Sequence, residues 1–253
     1  MNSTDEQMQI AFLMKEALLT TYDPEAIILF GSLGRGDGDE FSDVDLLVVI
    51  ETDRNTEELG HEMAEYLDSI SVEKHIIVRT PRDFCRQEDI PGTLVNSAAI
   101  EGKVLFDNKV WREINLSPES YESRKREVIK KDYVQSSREF LDQAETWLEN
   151  ESLFRFRDSI RFAMVRAIKS LFVKHDLHPP RELDLNHLLI KANELEPDLA
   201  KQKGLIQELQ DYFPNKTTDQ ELKRGDKLLK MVSCVVNAII QLGYPCSPNE
   251  VHL

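Results

Sequence analysis

Two short apolar runs fix what the first part of this chain can become. "AIILF" (residues 26–30) is too short for a stable helix and stops at Gly31. "DVDLLVVI" (residues 43–50) is rich in β-branched residues, which fit a pleated surface. Both read as strands, and the stretch between them, "GSLGRGDGDEFS", is glycine-rich and polar. A strand, a glycine-rich turn and a second strand are the start of a sheet. Helices flank it. Residues 7–21 place Ile10, Leu13, Met14, Ala17 and Leu18 at helical spacing and end before "YDP", since the residue before proline avoids helical angles. Residues 55–69 set Leu59, Met63, Tyr66 and Leu67, with Ile70 just beyond, on one side of a helix. "SVEKHIIVRT" (71–80) reads as a third strand stopped by Pro81, residues 92–101 as a short helix, and "KVLFD" (103–107) as a small strand or extended segment.

From about residue 118 the pattern changes. "ESYESRKREVIKKDYVQSSREFLDQAETWLE" is charged and helix-prone. Residues 154–177 carry an apolar stripe of Ile160, Met164, Ala167, Ile168, Leu171 and Phe172, with Arg157, Arg161, Arg166 and Lys169 on the polar side. "HPP" (178–180) breaks the chain, and residues 184–195, 198–211 and 219–242 give three more helical segments. The expected architecture is α+β: a small mixed sheet with flanking helices over residues 1–115, then an all-α bundle over 116–253.

Charge supports the division. The chain carries a net −15, residues 1–120 account for all of it, and residues 121–253 sum to zero. An acidic first part repels a nucleic-acid backbone, so nucleic acid is not the expected partner there. A nucleotide bound with a cation is compatible, because the cation sits between acids and phosphates. Cys85, Cys234 and Cys246 are an odd number without a CxxC pair, which argues against a disulfide framework or zinc cluster and fits a reducing cytoplasm. The start "MNSTDEQMQ" is polar and acidic, unlike a secretory signal. No stretch approaches the roughly 20 apolar residues that a membrane span needs.

The candidate chemistry sits at residues 31–47, "GSLGRGDGDEFSDVDLL". On a strand, Asp43 and Asp45 project to the same face. Two carboxylates that close repel unless a cation or proton lies between them, and Mg²⁺ suits such oxygen ligands. Upstream, Gly31 lets the backbone approach a ligand, Ser32 offers a hydroxyl, and Arg35 can make a charge-assisted contact to phosphate. The alternative is an acidic turn, for which "GDGDE" is well suited. Gly-Ser, Arg and S-D-x-D-L together favour a site for a triphosphate and its metal.

This stretch, "FGSLGRGDGDEFSDVDLLVV", resembles the G-S-x-x-R-G…S-D-x-D-L signature of the minimal nucleotidyltransferases of the DNA polymerase beta superfamily. "VEKHIIVRTPRDF" and "PGTLVNSAAIEGKVLFD" resemble the third strand and closing segment of that domain, so the resemblance covers about residues 8–108. The helical half resembles the HEPN domain often fused to such transferases. The resemblance implies transfer of a nucleoside monophosphate, usually AMP from ATP with Mg²⁺, to a hydroxyl on a small molecule or protein. It implies Asp43 and Asp45 as metal ligands and Gly31, Ser32 and Arg35 as nucleotide contacts. A helical bundle with apolar stripes can also pair two copies.

The chain departs from the family where a third carboxylate is expected. His75 takes that place and Glu73 lies two residues before it. Glu73 could supply the carboxylate, His75 could act as general base, or the third function could be absent, leaving a nucleotide-binding module with little turnover. Both residues could equally be ordinary polar groups on a half-exposed strand. Arg181 and His187 match the loose R-x(4–6)-H pattern of HEPN ribonucleases, although a solvated helix start explains them as well.

Overall fold

The computed structural model describes residues 3–39, 41–108, 119–181, 183–212 and 217–243. The chain divides into two compact units, Met1–Ser120 and Tyr121–Leu253. The expected boundary after residue 115 falls outside the described residues.

The first unit is a four-stranded sheet with flanking helices. Its strands are β1 (Ala26–Phe30), β2 (Val44–Val49), β3 (Lys74–Arg79) and β4 (Lys103–Asp107). The spatial order is β3-β2-β1-β4, with β1 antiparallel to both β2 and β4, and β2 parallel to β3. The helices are α1 (Ser3–Thr21), α2 (Gly31–Arg35), α3 (Thr56–Tyr66), α4 (Pro81–Gln87) and α5 (Leu94–Glu101). Their starts are those the sequence chemistry favours. Asn55, Thr80 and Thr93 cap α3, α4 and α5 by accepting bonds from first-turn amides, and Pro81 occupies a first-turn position whose amide needs no partner.

Alternation along the strands sorts side chains between two cores. Ile27, Leu29, Leu46, Val48, Ile76 and Val78 pack with Met14 and Leu18 of α1 and Leu59 and Met63 of α3. Ala26, Ile28, Leu47 and Val49 pack on the other face with Phe84 of α4 and Val95 and Ala98 of α5. Asp45 and His75 belong by alternation to this second face. Two details differ from the periodic reading. In α1, Ala11 is buried while Leu13 is exposed, so the inward stripe is rotated from the expected one. In α3, Tyr66 is exposed and sets its ring edge-on to Tyr22. β2 and β3 are also shorter than expected: Asp43 and Glu73 each lie one residue before their strand, joined by a bond from the Val44 amide to the Glu73 carbonyl (2.9 Å).

The second unit is helical among its described residues: α6 (Tyr121–Val128), a π-helical turn (Ile129–Gln135), α7 (Ser136–Glu149), α8 (Leu153–Lys174), α9 (Leu185–Leu195), a 3₁₀ turn (Pro197–Gln202), α10 (Lys203–Gln210) and α11 (Asp219–Gly243). All six stripe residues of α8 are buried, and that helix packs against α7, α9 and α11. Tyr212 is fully buried, edge-on to Phe156 at 5.8 Å between ring centres. No helix among the described residues is long and apolar enough to cross a membrane.

Candidate active site

The pairing register assembles the site. β1 brings Phe30 opposite Asp45, and β2 brings Asp45 opposite His75. The His75 Nδ1 lies 3.1 Å from the Asp45 Oδ1 and 3.9 Å from the Asp43 Oδ2. An ionised carboxylate can only accept, so the Nδ1 of His75 carries the proton in this bond. Glu73 joins them: ligand atoms of Asp43, Glu73 and His75 all lie within 4.8 Å of one another. Three carboxylates and one imidazole thus converge where β2 and β3 begin.

Gly31 closes the other side. Its φ is +67°, and a Cβ built there would stand 2.1 Å from the Asp45 Oδ2. Glycine is favoured here, because the backbone is left-handed and a carboxylate lies at the side-chain position. Ser32 follows in the first turn of α2, which no side chain caps. Arg35 ends that helix and turns its guanidinium to Asp37, with contacts of 3.1 and 3.2 Å.

The Asp45 carboxyl is perturbed by its surroundings. Burial lifts its carboxyl above the ordinary range; the His75 bond and charge and the charge of Arg35 oppose that rise, and Asp43 adds to it. The cause lies in the fold, since Asp45 sits inside the ladder between β1 and β3. A cavity of about 670 Å³ opens beside Asp45 and His75, walled also by Phe30, Lys74, Ile77 and Leu94.

The structure therefore brings together Asp43, Asp45, Glu73 and His75, sets Gly31 against Asp45, and places Ser32 in the adjoining turn. It holds Arg35 in an ion pair. Sequence reasoning did not find Phe30 and Leu94 as cavity walls or Asp37 as the partner of Arg35. Phe30 was available in principle, as the last residue of its strand before the glycine. In the second unit Arg181 and His187 are both exposed, and the His187 amide donates to the Asp184 carboxylate that caps α9.

No curated protein matches this chain. Among the solved structures that match it are two at low identity. One is a nucleotidyltransferase-like protein from Exiguobacterium sibiricum 255-15, with 13% identity, 91% of this chain and 77% of that chain covered, and a TM-score of 0.43. The other is the spectinomycin adenyltransferase AAD(9) from Enterococcus faecialis, solved with ATP and spectinomycin, with 14% identity, 91% and 99% covered, and a TM-score of 0.44. Residues 14–110, which carry the sheet and every candidate residue of this site, match the family model described as "Polymerase beta, Nucleotidyltransferase".

Proposed function

We propose that this chain is a metal-dependent nucleotidyltransferase that moves AMP from ATP to a hydroxyl of a small molecule or protein. The observation that carries the reading is the convergence of Asp43, Asp45, Glu73 and His75 against a glycine in left-handed backbone. The match of residues 14–110 to a nucleotidyltransferase family supports it. On this reading residues 1–115 are the transferase domain and residues 116–253 a HEPN-like bundle.

The donor set fits a divalent cation, since Asp43 and Asp45 offer oxygens and carboxylates this close repel without one. Mg²⁺ held by Asp43 and Asp45 would neutralise the triphosphate and the charge that develops as it is cleaved. The remaining work falls to the chain itself. His75 donates to Asp45 and fixes the direction in which that carboxylate points. Ser32 offers a hydroxyl to the phosphates, and Arg35 reaches them by exchanging Asp37 for a phosphate oxygen. The acceptor oxygen attacks the α-phosphorus and forms the new P–O bond. The bond from that phosphorus to the β-phosphate oxygen breaks, and pyrophosphate leaves. Glu73, exposed and close to Asp43 and His75, takes the acceptor's proton.

The test is transfer of label from ATP, with a divalent cation, to aminoglycosides, small metabolites and protein tyrosines. Label should reach one acceptor class and be lost in Asp43→Asn. Nucleotide binding without label transfer to any acceptor or to the protein, unchanged by Asp43→Asn, would overturn the reading.

A further inference from the structure

We infer that the cavity beside Asp45 receives the acceptor, and that its wall suits a hydroxyl carried on an uncharged apolar ring and not a polycationic sugar. The inference rests on the transferase reading and names the acceptor class for that site.

The pairing register lays out the wall. Residues two apart on a strand share a face. Phe30, Asp45 and His75 therefore form one cross-strand row, and Ile28, Leu47 and Ile77 form the row behind it. Ile28 and Leu47 are buried. Phe30, Ile77 and Leu94 of α5 pack on that core while staying half-buried. The same three side chains line the cavity of about 670 Å³. An apolar surface left open beside a carboxylate gains free energy when an apolar group covers it, and the carboxylate marks the reacting end.

Position separates acceptor from nucleotide. Gly31, Ser32 and Arg35 follow β1, whereas the cavity runs along β3 and touches each residue from Lys74 to Arg79. β2, which carries Asp45, stands between β1 and β3. The triphosphate contacts thus approach Asp45 from one side and leave the β3 side to the acceptor.

Charge on the wall decides the class. The first unit is strongly acidic, yet the cavity is lined by Lys74, Arg79, His61 and His75 against Asp45 and Glu57 among the described residues. A polycation meets no excess of carboxylates there. An anion gains little either, because both permanent cations are engaged. Lys74 turns its amine to the Ile70 and Val72 carbonyls, at 3.2 and 3.4 Å, and to the Asp68 carboxylate at 3.7 Å. The Arg79 Nη1 donates to the Val78 carbonyl at 2.8 Å. An uncharged ring is what this wall accommodates. A free phenol and a tyrosine side chain share that chemistry.

The experiment uses the full chain, isotope-labelled at the Ile and Leu methyls, without nucleotide. Magnetic resonance follows titration with p-cresol, with a short unstructured peptide carrying one tyrosine, and with kanamycin. The ring compounds should shift the Ile77 and Leu94 methyls, identified through Ile77→Val and Leu94→Val, and kanamycin should not. The tighter of the two ring compounds names the source. Leu94→Glu should weaken p-cresol by about tenfold. Circular dichroism checks its folding, and Ile77→Thr, a milder change, repeats the test if it does not fold. Ile77 and Leu94 methyls unmoved by both ring compounds overturn the inference, as does p-cresol affinity that the folded variants leave unchanged. Ring binding at these methyls without label transfer from ATP would sink the transferase reading alone. Transfer to kanamycin with these methyls unmoved would sink the acceptor inference alone.

Discussion

The two units treat charge in opposite ways. In the first, Asp43, Asp45 and Glu73 meet at one end of the sheet with a single histidine among them. In the second, opposite charges are matched. Lys125, only 6% exposed, lies between Glu122 and Asp176 at 3.1 and 2.9 Å, and Glu196 lies between Lys174 and His175 at 2.6 and 3.1 Å. Converging like charges repel and cost folding free energy unless a cation or proton lies between them.

Removing one charge from each unit should therefore have different consequences. Asp43→Asn should lower label transfer by more than about a hundredfold, exceeding the loss typical of a residue that merely supports a metal ligand, with little change in melting temperature. A variant retaining full transfer would erase the contrast between the units. Gly31→Ala should follow. Its left-handed backbone costs about 1–3 kcal/mol, and the methyl collides with Asp45, so transfer and thermal stability should fall together. Asp176→Ala in the bundle should cost about 1–2 kcal/mol, read from denaturant melts, while leaving transfer intact.

Two pH experiments sharpen the same contrast. The Asp45 carboxyl titrates above its ordinary range when folded. The folded state then holds a proton that the unfolded state has lost, so stability falls as pH rises from the ordinary carboxylate value through the raised one. Asp45→Asn should flatten that slope and melt above the wild type at neutral pH, while losing transfer. In the bundle, burial pushes the Tyr212 hydroxyl up to about 12. The unfolded tyrosine ionises near pH 10, so stability should decline from about pH 10 towards the folded value. Tyr212→Phe should remove that decline and otherwise cost little, since the hydroxyl makes one 3.3 Å bond to the Glu221 carbonyl.

Much of this was legible in the sequence because it is local. "AIILF" ended by glycine, "DVDLLVVI" and "KVLFD" all became strands, and the α8 stripe is buried throughout. The Asp43–Asp45 spacing, with Gly31 upstream, marked the place where the candidate residues gather. What escaped depends on contacts distant in sequence. The step of Asp45 beside His75 is a register between strands thirty residues apart. Ala11 replaces Leu13 in the core because the packing surface, and not the helical period, decides which face turns inward. The π turn between α6 and α7 admits Tyr133, which is buried, and an apolar count over a helix-prone stretch carries no sign of it.

The order β3-β2-β1-β4 gives the site two unequal halves. β2 is held by ladders on both sides, whereas β3 pairs only with β2 in this sheet. Fraying would begin at β3 and carry Glu73 and His75 away while Asp43 and Gly31 stay in place. Amide protons of β3 should then exchange with solvent before those of β2. Half of the candidate site thus hangs on an edge strand, and opening that edge would take the site apart without unfolding the rest of the sheet.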